Sequence, residues 1–249
     1  MFKLAFQRVS IWIALAIFML AAASACEWDY DTLQMERQRF PGTLELVTGK
    51  FLRHSKEFYQ WRIEDRKGRI AEDPTNLALY DDLAVAYDKT DQQSLAIETI
   101  LKKEELSPGL YETYANLGTF HIHAGNLEEG VKHLKRAIEI NPEAHFGREI
   151  YQQLLVEYVI SKQVDGAATL PLVGKEFSSF QSGFADFVFK ARQTPDNPEA
   201  KAEEAKAALK GVLGMLRFGN FQHPILLEAA GDLLRADWNK DGKRPHALI

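Results

Sequence analysis

Apolar residues recur along most of the chain at the three- and four-residue spacing of a helix, with charged residues between them. Leu44, Val47, Phe51, Phe58, Trp61 and Ile63 predict helix from Leu44 to Glu72. Tyr80, Leu83 and Tyr87, then Ala96 and Ile100, predict two helices, and Tyr114, Leu117 and Leu134 predict two more. Phe146, Ile150, Leu154, Leu155 and Tyr158 share one face of a helix over 144–160. Phe177, Phe180, Phe184 and Phe187 form a stripe at spacings of 3, 4 and 3, read as core. Thr169-Leu170-Pro171 with Gly174, and the segment 193–198, are breaks. Helices follow from Glu199 to Leu216 and from Pro224 to Ala236. In the last of these, Gly231 takes a close-contact position and the end of the array presents an apolar face. The only strand-like run, Phe-Val-Phe at 187–189, is too short to count, so the predicted class is all-α.

The pattern also repeats. Pro74, Pro108 and Pro142 are 34 residues apart. The same offset relates Tyr80 to Tyr114, Leu83 to Leu117, Ala84 to Gly118, Tyr87 to His121, Ala96 to Gly130 and Ile100 to Leu134. Small residues at 84, 96, 118 and 130 allow close helix approach, and the large ones fill the space between. Gly125-Asn126 turns the chain in the second pair, and Asp91 takes that role in the first. This arrangement resembles the tetratricopeptide repeat (TPR) family, whose W-x2-L-G-x2-Y, A-x3-F, Pro pattern is matched by Tyr114-x2-Leu117-Gly118-x2-His121, Gly130-x3-Leu134, Ala137 and Pro142. The first repeat is imperfect, because Lys103 stands where a small residue is expected, and the signature is lost again at Gln152.

The resemblance implies a TPR-type helix-turn-helix solenoid with degenerate flanking helical pairs. Four regions follow: residues 1–25 as a signal peptide, 26–72 as a lead-in and degenerate pair, 73–160 as repeats plus a following helix, and 161–249 as a C-terminal helical region. Trp28 and Tyr30 are placed to tuck against the first helices. The resemblance further implies a concave groove lined by the first helix of each pair: Ala78, Asp81, Val85, Asp88 and Lys89, then Glu112, Ala115, Thr119, Ile122 and His123. Such a groove holds a peptide or a partner helix, and Asp81, Asp88 and Glu112 would favour a basic segment. The family's carboxylate clamp is not expected, because Asp81 and Val85 occupy two of its positions although Asn116 matches another.

Charge and cysteine usage narrow the class. The net charge of −5 becomes −7 once Lys3 and Arg8 leave with the leader, which speaks against nucleic acid. Basic residues, the apolar run Ile11–Leu20 and the small residues of 21–25 form the order of a secretory signal. Cys26, the one cysteine, follows Ala23-Ser24-Ala25 directly, which resembles the bacterial lipobox and implies a lipid-modified first residue. Ala23 stands where that motif usually has Leu, and Ala23 with Ala25 also fits plain A-x-A cleavage. A periplasmic or membrane-anchored location is the expectation.

Other chemistry is sparse. No GxSxG, HExxH, P-loop or GxGxxG is present, so no enzyme is predicted. His121 and His123 are two apart and point in different directions on a helix, so with His133 they read as packing or surface groups. Asp237, Asn239 and Asp241, followed by Gly242, match the first half of a calcium loop, but Leu248 holds the position of its bidentate Glu. The reading is a non-enzymatic, exported, lipid-anchored scaffold or adaptor with no required cofactor. The alternatives are a soluble secreted calcium-binding protein and a helical domain of a larger enzyme or sensor.

Overall fold

The computed structural model describes residues 29–30, 39–173 and 183–238, without the side chains of 145, 146, 237 and 238. Ten α-helices lie within them: α1 Thr43–Val47, α2 Lys56–Glu72, α3 Leu77–Asp88, α4 Gln93–Leu106, α5 Tyr111–His123, α6 Leu127–Ile140, α7 Arg148–Ser161, α8 Gly183–Ala191, α9 Pro198–Phe218 and α10 Pro224–Trp238. A 3-10 turn, Ala144–Gly147, leads into α7. No strand occurs among the described residues, and none of their helices is long and apolar enough to cross a membrane. The fold is an all-α helical repeat.

From α2 to α7 each helix packs on the next, as stacked antiparallel pairs require. The α3–α4 pair closes over Leu83, Ala84, Tyr87, Ala96 and Ile100, with Leu117 and Phe120 of α5 completing that core. A second core joins α7 to α8, α9 and α10 through Tyr158, Phe184, Val188, Leu209, Val212 and Leu233. Helix α9, capped by the Asn197 side chain on Ala200 N at 2.9 Å, packs on α7 and α10 and also reaches α1. Its C-terminal end meets the N-terminal region directly: Arg217 donates to the Arg39 carbonyl at 3.3 Å, and Lys89 Nζ donates to the Phe218 carbonyl. A cation on the last carbonyls of a helix is favourably placed against its dipole.

Four local expectations change. Residues 44–72 are two helices rather than one, because the chain turns at Gly49 (φ 69°), where a Cβ would lie 2.4 Å from the Phe221 ring. Helix α7 starts at Arg148 rather than 144, after the left-handed Gly147 (φ 72°). Tyr30 does not tuck in. Its side chain is exposed, and Asp29 docks instead, accepting from Arg62 Nη1 at 2.6 Å, while Tyr30 N donates to Asp82 at 3.0 Å. Gly231 faces open space, and α10 turns Ala229, Ala230 and Leu233 inward onto α8 and α9. Of the phenylalanine stripe, Phe184 is buried and Phe187 packs against the same core, as expected. Phe177 and Phe180 lie outside the described residues, as do the leader, Cys26, Trp28, Asn239 and Asp241.

Candidate binding cleft

The ten residues predicted to line a groove divide into three groups. Asp81, Val85, Asp88, Ala115 and Thr119 are buried, whereas Ala78 and His123 are exposed and Lys89, Glu112 and Ile122 are intermediate. Asp81 is 2% exposed, and its two oxygens accept from Lys103 Nζ at 2.9 and 2.7 Å and from Asn116 Nδ2 at 3.1 Å. Burial pushes its pKa up to about 7 against the pull of Lys103. This carboxylate is committed inside the fold and offers nothing to a basic partner. Asp88 is likewise engaged: His123 Nδ1 lies 2.8 and 3.0 Å from its oxygens. A carboxylate only accepts, so Nδ1 carries the proton.

Thr119, Ile122 and His123 do converge, and with residues that the repeat pattern does not point to. Together with α7, the end of α9 and the start of α10, they enclose a cleft of about 250 Å³. Its walls are mainly apolar: Leu127, Leu155, Val156, Val159, Met215, Phe218, Ile225 and Leu226. The polar lining is Thr119, His123, Arg148, Gln152, Asn220 and His223. Arg148 lies against α9 because Gly214 leaves room for it, a Cβ there standing 2.8 Å from Arg148 Cδ. Its guanidinium stacks over the Phe218 ring at 5.1 Å. The imidazole of His223 is held below its usual pKa by burial and by neighbouring His123.

The connection between α5 and α7 runs through one hydrogen-bond chain. Thr119 donates to the Ala115 carbonyl at 3.1 Å, and Gln152 Nε2 donates to Thr119 Oγ1 at 3.1 Å. Because the Thr119 proton goes to its own helix, the amide nitrogen of Gln152 must face Thr119. Gln152 Oε1 is left buried with no hydrogen-bond partner. Gln152 sits 34 residues beyond Gly118, where a third repeat would carry a small residue. Beyond the three groove positions on α5, the loss of signature at Gln152 was the sequence's pointer to this cleft. The contributions of α9 and α10 carried none, since they come from outside the periodic part.

His121 and His133 stack with ring centroids 5.2 Å apart, on the interface of α5 and α6. No group of three or more metal-ligating side chains occurs among the described residues. The proposed calcium positions Asn239 and Asp241 lie beyond the described residues, and the Asp237 side chain is not described.

Residues 111–143, α5 and α6 with their flanking turn, match the family model described as tetratricopeptide repeat. A search of curated proteins finds no match to the chain. The 34-residue period, the stacked helix pairs and this match agree: residues 111–143 are similar to a tetratricopeptide repeat, set within an all-α helical repeat fold.

Proposed function

We propose that this chain is an exported, lipid-anchored, non-enzymatic scaffold that holds an apolar segment of a partner protein in the cleft between α5, α7, α9 and α10. Repeats of this family serve as platforms for protein–protein interaction, typically without catalysis of their own. The observation that carries the reading is the cleft itself: about 250 Å³, mostly apolar, with a few polar groups among its lining residues. Binding energy in such sites concentrates in a few anchors that fill pockets. Asp81 and Asp88, two of the three acidic residues expected in the groove, are engaged internally, so apolar complementarity replaces charge as the main source of affinity. Export and anchoring are supported by the basic-apolar-small order of residues 1–25 and by Cys26 directly after it.

A photo-crosslinking residue placed at Leu226 in the cleft, and separately at Leu101, an exposed position on α4, tests the site in living cells. The reading expects a discrete adduct from position 226 and none from 101. Adducts from 101 alone would move the site to the outer face. Palmitate labelling of the wild type, and its loss in Cys26→Ser, tests the anchor.

A further inference from the structure

Resting on the cleft as the binding site, we infer that its occupant is a planar aromatic side chain carrying one neutral hydrogen-bond donor, a tryptophan or tyrosine of the partner, which donates to Gln152 Oε1. Three observations lead there. The first is size. An apolar cavity of about 150 Å³ accepts benzene, so 250 Å³ suits a larger ring and not a whole helix. The second is the wall chemistry. Met215 and Phe218 lie on one side, and thioether and ring surfaces favour an aromatic neighbour.

The third is the unmet acceptor. Gln152 is 7% exposed, and its Oε1 has no partner while its Nε2 is held by Thr119. A buried polar atom left unsatisfied is costly, and a ligand that supplies the missing donor recovers that cost. An aliphatic side chain has no donor to give. A lysine or arginine would bring a cation beside Arg148 and into apolar walls. A carboxylate has no proton to offer Gln152. Hydroxyl, amide and imidazole side chains can donate but bring little apolar surface to these walls, whereas the indole N–H and the phenol O–H each sit at the edge of a large apolar ring. Gln152 lines the cleft while its Oε1 is shielded from solvent, so a donor reaches it only if the wall yields slightly. Unbranched, adaptable Met215 is the side chain suited to do so.

The test uses two probes that differ only at the donor, indole and 1-methylindole, titrated into the anchorless Cys26→Ser chain with methyl resonances as the readout. Indole is expected to shift the methyls of Leu155, Val156 and Ile225 and to bind about tenfold tighter than 1-methylindole, the effect of one hydrogen bond to a buried acceptor. In Gln152→Met, which preserves length and removes the acceptor, the preference should fall to within about twofold. The wild-type ratio decides the matter even if that variant folds poorly. Equal binding of the two probes overturns the donor assignment while leaving an apolar cleft in place. No shift of the cleft methyls by either probe overturns both this inference and the cleft as a binding site.

Discussion

The two complete helix pairs, α3–α4 and α5–α6, share a period and differ in how they fill it. In the first pair, positions 81 and 103 hold aspartate and lysine, joined in a fully buried ion pair. Thirty-four residues on, positions 115 and 137 are both alanine, and both are fully buried. The close-contact positions differ the other way: Ala84 and Ala96 in the first pair, Gly118 and Gly130 in the second. A Cβ at 130 would lie 2.6 Å from Ile122 Cγ1 and 3.0 Å from the Gly118 carbonyl. The second pair therefore packs backbone against backbone, while the first keeps methyl groups at that contact and inserts a charge pair nearby. One repeat geometry tolerates two fillings, provided that the exception at one position is answered at another.

The largest effect expected from breaking this contrast is in the ion pair. Asp81→Ala strands the Lys103 ammonium and should cost about 3–5 kcal/mol in denaturant unfolding at pH 8. Adding Lys103→Met removes the stranded charge at similar length and should recover most of that loss. A double variant as unstable as the single would show that the charges themselves stabilise the pair. Next comes the close contact: Gly130→Ala should cost about 1–3 kcal/mol by overpacking, despite the better helix propensity of alanine. Ala96→Gly in the first pair should cost about 1 kcal/mol, mainly through propensity.

The two pairs should also respond oppositely to pH. Asp81 is raised to about 7 by burial, so its folded form holds a proton more tightly than the unfolded chain does. Its contribution is full below about 4 and declines as pH rises through about 7. His121 and His133 are lowered, first by burial, and for His133 also by the His121 charge. Their contribution is full above about 6.5 and declines as pH falls below that value. His121→Tyr, which copies Tyr87 of the first pair, should reduce the acid sensitivity in thermal unfolding between pH 5 and 7. The smallest effect is expected at the turns. Asp91 and Gly125 are equivalent and both have positive φ, 64° and 83°. Asp91→Gly should stabilise by at most about 1 kcal/mol, and Gly125→Ala should destabilise by about 1–2 kcal/mol.

Helix class and period were legible because residues such as Tyr80, Leu83, Tyr114 and Leu117 are set by local geometry and nearest-neighbour packing. The Asp81–Lys103 pair was half legible: Lys103 was seen as a misfit, but its compensation lies 22 residues away on the facing helix. The tertiary fold-back was not legible. Contacts such as Lys89 with the Phe218 carbonyl span 129 residues and follow no period. The cleft depends on them, so the groove predicted from α3 and α5 alone contained only Thr119, Ile122 and His123 of its actual walls.

The central claim is that the cleft, and not the outer apolar surface, receives the partner. The most direct measurement is a methyl spectrum of the chain with and without the partner segment recovered by crosslinking. Shifts at Ile122, Leu155, Val159 and Ile225, with Leu101 and Leu106 on α4 unchanged, are the predicted result. Shifts at Leu101 and Leu106 with the cleft methyls unmoved would contradict it.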